Sequence, residues 1–168
     1  MTVDRNIVLI GMPGAGKSTV GVILAKTLGM DFLDTDLAIC RRRGATLQSI
    51  LDEEGLEAFL DLEEDVVRAL RPENTVIATG GSVPLRDPAM EHLKAGGTTV
   101  YLDVPLEELR MRLSNIRTRG IAFGPGETLE TLYAHRTPIY QRWADVTVHA
   151  DPGSDLEQTV EQIAASLN

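Results

Sequence analysis

The densest chemical information in this chain lies in eight residues, Gly11-Met12-Pro13-Gly14-Ala15-Gly16-Lys17-Ser18. Glycines at this spacing, followed by Lys-Ser, match the pattern of a loop that cradles phosphates. Without side chains in the way, successive backbone N–H groups can turn inward around phosphate oxygens. A helix beginning at Gly16 adds its positive dipole end. Lys17 is then placed to reach the β- and γ-phosphates, and the Ser18 hydroxyl to ligate Mg²⁺. The motif predicts binding of a nucleoside triphosphate with Mg²⁺.

Two carboxylates one residue apart, in Asp34-Thr35-Asp36, form a second candidate constellation. One can help hold Mg²⁺ through water while the other accepts a hydrogen bond from an acceptor hydroxyl and orients it. Either can also simply cap the helix that follows. The pair Gly80-Gly81 would let backbone approach a ligand closely, although tight turns use glycine pairs too. Thirteen of the sixteen basic residues are Arg, and six fall between positions 110 and 142. Guanidinium groups gathered there suit either a local anion site or a solvated helix face. His92, His135 and His149 show no ligand-like spacing, and Cys40 reads as a small residue within a helix.

Elements that could position these residues alternate along the chain. Asn6 to Ile10 is a short apolar, β-branched run, read as a buried strand, and it leads directly into the glycine-rich loop. Ser18 to Leu28 has helical spacing and ends at Gly29. A strand at Asp31-Phe32-Leu33 delivers the aspartate pair, and a helix follows to near Gly44. Thr46 can cap the next helix. Leu56 to Leu70 carries one apolar stripe, stopped by Pro72. Further strands are expected at Thr75 to Ala78, Thr98 to Leu102 and Asp145 to His149, with helices from Pro105 to Leu113, before the last strand, and from about Ser154. Residues 115 to 126 show no period and read as a mobile loop. Such alternation predicts an α/β fold with a parallel sheet covered on both faces. Ligands in such sheets bind beyond the carboxyl ends of the strands, which is where the loops after strands one, two and three lie.

Composition narrows the class. A chain of 168 residues with 43% hydrophobic and 24% charged content suits one globular domain rather than a disordered one. The net charge of −9 disfavours nucleic acid and anionic membrane as partners. A single cysteine cannot form an internal disulfide. No secretion signal or membrane-spanning stretch is visible, so the expectation is a soluble, cytoplasmic protein. The acidic surface suits a monomer.

Met12 to Gly21, Leu33-Asp34-Thr35-Asp36, Val76 to Gly81 and Arg136-Thr137-Pro138-Ile139-Tyr140 occur in the order expected of shikimate kinases, and the chain resembles that family from about residue 6 to 149. The resemblance implies a P-loop fold with a five-stranded parallel sheet in the order 2-3-1-4-5, flanked by helices, and transfer of the γ-phosphoryl group of ATP to a hydroxyl of a small polar molecule. It implies one kinase domain over 1–168, with substrate-binding helices at about 36–70 and a lid at about 115–126. Gly14, Ala15, Gly16, Lys17, Ser18, Thr19 and Arg112 match nucleotide-binding positions, Arg112 where an arginine packs on adenine. Ser18 and Asp34 match positions near Mg²⁺. Asp36, Glu63, Gly80, Gly81 and Arg136 match acceptor-binding positions, Arg136 being the one expected to hold a carboxylate. Arg119 falls at a lid arginine that reaches the phosphates, so Lys17, Asp36 and Arg119 are the candidate catalytic residues.

Three departures concern the acceptor side. Leu60 stands where the family has a carboxylate-binding arginine, Ser82 where a third glycine is expected, and Arg119-Gly120-Ile121-Ala122 where the lid reads Arg-Pro-Leu-Leu. Losing one charged hydrogen bond of roughly 1.5–3 kcal/mol weakens carboxylate binding without abolishing it. The acceptor is therefore expected to be shikimate or another small polyol, sugar or hydroxy acid. Two other classes use the same scaffold. A nucleoside monophosphate kinase needs a base pocket, and a GTP-dependent switch needs an Asn-Lys-x-Asp reader, of which this sequence has no Asn-Lys pair. A nucleotide-binding module without acceptor chemistry is the remaining alternative.

Overall fold

Five parallel strands set the frame: β1 (Asn6–Ile10), β2 (Asp31–Asp34), β3 (Thr75–Ala78), β4 (Gly97–Asp103) and β5 (Val146–His149), in the order β2-β3-β1-β4-β5. This computed structural model describes residues 5–113, 121, 124 and 126–168. The helices are α1 (Lys17–Leu28), α2 (Thr35–Arg43), α3 (Leu47–Glu54), α4 (Leu56–Ala69), α5 (Asp87–Gly96), α6 (Leu106–Leu113), α7 (Leu129–Trp143) and α8 (Leu156–Ser166). The strand order is the one the resemblance implies.

Every residue of β1 and β3 is buried, as a parallel sheet covered on both faces requires. Leu9 of β1 pairs in register with Ala78 of β3, and Asp34 of β2 pairs with the same Ala78. The carboxyl ends of these three strands therefore share one edge of the sheet. The phosphate loop, the aspartate pair and the Gly80-Gly81 turn all emerge there.

Helix α1 packs tightly on that frame through Val20, Leu24 and Ala25. Gly21 permits the approach, because a Cβ there would lie 2.7 Å from Cε2 of Phe32 on β2. A second, smaller apolar cluster of Ile39, Ile50, Phe59, Leu60 and Val66 joins α2, α3 and α4 beside the main core. Thr46 caps α3 as expected, accepting from the Ser49 N–H at 3.2 Å.

Helix α5 is not among the elements expected from the sequence. Its signals were an Asp87-Pro88 start and the buried stripe of Ala89, Met90 and Leu93. The expected loop over 115–126, and Arg119 with it, lies almost wholly outside the described residues. Among the described residues no helix is long and apolar enough to cross a membrane.

Gly21→Ala drives a methyl into the Phe32 ring, so it should cost about 1–3 kcal/mol by overpacking. Urea unfolding checks this; a midpoint equal to the wild type contradicts the close α1–β2 contact.

Candidate active site

The phosphate loop turns between β1 and α1. Gly14 and Gly16 hold left-handed φ values of 82° and 91°, where a side chain would be strained. Gly16 is the N-cap of α1, and the helix proper begins at Lys17. Lys17 is buried, with Nζ donating to the carbonyls of Gly11 and Met12 at 2.7 and 2.8 Å. The ammonium is thereby held against the loop's own backbone. Arg112 of α6 donates from Nη1 to the Gly14 carbonyl at 3.1 Å and from Nε to Glu108 at 3.2 Å, placing its guanidinium beside the loop.

Asp34 and Thr35 each have their own partner. Asp34 Oδ2 accepts from the Ser18 hydroxyl at 2.6 Å. Its Oδ1 accepts from the N–H groups of Asp36 and Leu37, at 2.8 and 3.4 Å, and so caps α2. The helix-cap reading of this residue holds, and its other oxygen faces the Ser18 hydroxyl of α1. Thr35, fully buried, accepts from the Gly80 N–H at 2.9 Å. Asp36 turns into a cavity.

That cavity has a volume of about 260 Å³. It runs from Gly14, Gly16, Lys17, Ser18 and Thr19 at one end to Asp36, Glu63, Gly80, Gly81, Ser82 and Arg136 at the other. Gly80 has no room for a side chain: a Cβ would lie 2.5 Å from Asp36 Oδ1 and 3.1 Å from Glu63 Oε2. Gly81 is equally confined, by Pro13 and by Arg136 Nη1. Tyr140 of α7 donates its hydroxyl to the Gly81 carbonyl at 2.6 Å and also meets the Arg136 guanidinium. Burial pushes the Tyr140 phenol up to about 12, so it stays a donor. Arg136 is only 2% exposed and Glu63 only 1%.

Glu63 sits in the buried stripe of α4, an acid among apolar neighbours. Burial raises its carboxyl to about 8; a hydrogen bond from Ser82 opposes this, Asp36 adds to it, and Arg136 and Arg86 oppose it. Ser82 Oγ donates to Oε1 at 2.7 Å, and Oε2 has no hydrogen-bond partner. Burial thus favours the uncharged form of this carboxyl.

Of the residues expected from sequence, Gly14, Gly16, Lys17, Ser18, Thr19, Asp36, Glu63, Gly80, Gly81 and Arg136 line one cavity. Ala15 is buried in the loop, and Asp34 and Arg112 flank it. Leu60 is a finding of its own. It is packed into the second apolar cluster and does not line the cavity, where Phe59 forms the apolar wall. Arg41, Arg42 and Arg43 are exposed on α2, and Arg43 pairs with Glu54. Thr35, Ser82 and Tyr140 are partners that spacing alone did not reveal. Among the described residues no group of three or more His, Cys, Asp or Glu could hold a metal ion. Ser18 and Asp34 instead present hard oxygen donors at the loop, which fits a cation held jointly with phosphate oxygens.

Comparison with known proteins agrees with this geometry. The shikimate kinase family model matches residues 13–168. The chain is 38% identical over 167 residues to a shikimate kinase of Paracidovorax citrulli, covering 96% of this chain and 91% of the relative. It is 40% identical over 171 residues to shikimate kinase 1 of Pectobacterium atrosepticum, covering 99% and 96%. Among solved structures, shikimate kinase from Acinetobacter baumannii in complex with shikimate superposes with a TM-score of 0.89 at 34% identity, covering 99% of this chain and 94% of that one.

The raised Glu63 carboxyl has a consequence for stability. Unfolded, it ionises near 4.5; folded, near 8, so the native state binds the extra proton between those values. Stability is complete below the lower value and is lost as pH rises towards the upper one. Glu63→Gln cannot ionise, so its melting temperature should gain on the wild type as pH is raised across this window. A difference that stays constant with pH contradicts the burial of the carboxyl.

Proposed function

The chain belongs to the shikimate kinase family, and we propose that it transfers the γ-phosphoryl group of ATP to a hydroxyl of shikimate. The single cavity joining the phosphate loop to Asp36 and Arg136 carries this reading. It offers a cradle for a polyanion at one end and, at the other, a carboxylate for hydroxyls and a guanidinium for a carboxylate. The shikimate-bound relative of the same fold supports the choice of acceptor.

In this reading residues 1–168 act as one kinase domain, with helices from 36 to 70 shaping the acceptor side. Backbone amides from Gly14 to Thr19 hold the phosphates. Lys17 leaves the loop carbonyls and turns to the β- and γ-phosphates. Ser18 and Asp34 would hold Mg²⁺, which when bound offsets phosphate charge. Arg112 packs on the nucleotide base from its place beside Gly14. Asp36 accepts the proton side of the attacking hydroxyl and keeps it in line with the phosphoryl group. Arg136, buried against Tyr140, pairs with the acceptor carboxylate. Glu63, Gly80 and Gly81 form the acceptor wall. Arg119 is assigned to the transferring phosphoryl group by the resemblance alone.

A second reading, another small polyol or hydroxy acid as acceptor, is favoured by Leu60, since Arg136 is the one guanidinium among the described cavity residues. ADP release measured with ATP, Mg²⁺ and a panel of shikimate, gluconate, ribose and nucleoside monophosphates separates the two. Release with shikimate is expected; release only with another acceptor moves the assignment to it. Asp36→Asn should lower kcat by about 10²- to 10⁴-fold, the range for a positioned acid–base group. Little change in kcat would remove Asp36 from the reaction. Arg119→Ala should lower kcat far more than ATP affinity, and equal losses in both contradict a role confined to transfer.

A further inference from the structure

The buried acid Glu63 and the serine beside it are only partly used by the reading above. Ser82 is 4% exposed and its hydroxyl donates to Glu63 Oε1 at 2.7 Å. The other oxygen, Oε2, is buried and has no hydrogen-bond partner. It lies against Gly80, on the same bare Cα that Asp36 Oδ1 abuts. Both carboxyl groups and Ser82 line the acceptor end of the cavity. A buried polar oxygen without a partner costs stability, so its retention at this place calls for a partner that arrives with the acceptor.

We infer that Ser82 is a specificity-determining positioning residue: by occupying Oε1 of Glu63 it aims Oε2 at the acceptor, where Glu63 and Asp36 together read a pair of hydroxyl groups. The division of labour follows from proton placement. With Oε1 accepting from Ser82, the proton of the neutral carboxyl resides on Oε2 and makes it a donor. Asp36 is an acceptor. One hydroxyl can then donate to Asp36 while a neighbouring hydroxyl oxygen accepts from Glu63. A wall with one donor and one acceptor selects a vicinal diol over a single alcohol, because the mismatched ligand leaves a buried polar group unpaired. The charged groups facing Glu63 are Asp36 from α2, Arg136 from α7 and Arg86 after the turn at 83–85; they set its charge but none of them bonds Oε2. Arg86 is tied to Asp61 and Glu57.

This inference rests on the proposed kinase reaction, so wild-type turnover of shikimate is measured first. Ser82→Ala is then compared with Glu63→Gln, whose amide keeps one acceptor for Ser82 and one donor towards the acceptor. Ser82→Ala should raise KM for shikimate about tenfold, the effect of one lost hydrogen bond. KM for ATP should hold near the wild-type value, while the melting temperature falls only by the loss of one buried hydrogen bond. Glu63→Gln cannot ionise, so its KM for shikimate should lack the wild-type rise between neutral and alkaline pH, whatever its absolute value. In Ser82→Ala that rise should move to higher pH, since the serine hydrogen bond lowers the Glu63 ionisation. An unchanged shikimate KM in Ser82→Ala overturns the inference, as does a rise matched by an equal rise in KM for ATP. A wild type that phosphorylates nothing in the acceptor panel overturns the kinase reading and this inference with it.

Discussion

Asp34 Oδ2 accepts the Ser18 hydroxyl while Oδ1 accepts the first N–H groups of α2, so a single carboxylate joins the opening turns of two helices. One of those turns completes the phosphate loop and the other presents Asp36. Their separation is therefore set by the dimensions of one side chain. Hydrogen bonds to a charged group contribute about 1.5–3 kcal/mol each, which is large beside an edge strand of only four residues. Thr35 extends the linkage to the Gly80 N–H. The three strand ends thus meet through two consecutive residues, Asp34 and Thr35.

The two ends of the cavity are built from different materials. The phosphate end is mostly backbone: amides freed by glycine, a helix start, and a lysine folded onto carbonyls. Such a surface recognises charge and shape and is indifferent to what the phosphates are attached to. The acceptor end is made of buried side chains, Arg136, Glu63 and Tyr140, fixed by contacts from α4, α7 and the Gly80-Gly81 turn. Burial is costly for ionic groups unless they are paired or neutral. Glu63 meets that condition by holding its proton, and Tyr140 does so by keeping its own. Groups fixed in this way suit the proposed reaction, which asks them not to reorganise as charge develops.

Legibility in the sequence follows this same division. The phosphate loop, the aspartate pair and the sheet were readable because their signals are local: glycine spacing, short β-branched runs and helix punctuation. Arg136 and Glu63 were identified through a family resemblance, since nothing in their neighbourhood announces a cavity seventy residues away in sequence. Ser82 looked like a mere departure from a glycine run; only folding brings it to Glu63. Leu60 illustrates the opposite case. Its place in a carboxylate-binding position suggested a residue facing the acceptor, yet the helix turns it into the α2–α3–α4 cluster and brings Phe59 to the cavity. Helix α5 was missed because its buried stripe holds only three residues.

All of this depends on phosphoryl transfer occurring directly between the two ends of one cavity. Phosphorus NMR of a mixture of the protein, ATP, Mg²⁺ and shikimate follows the γ-phosphoryl group itself. The account predicts that its resonance is replaced by that of a phosphate monoester, formed in step with ADP. Inorganic phosphate in place of the ester, at the same rate with or without shikimate, would contradict it.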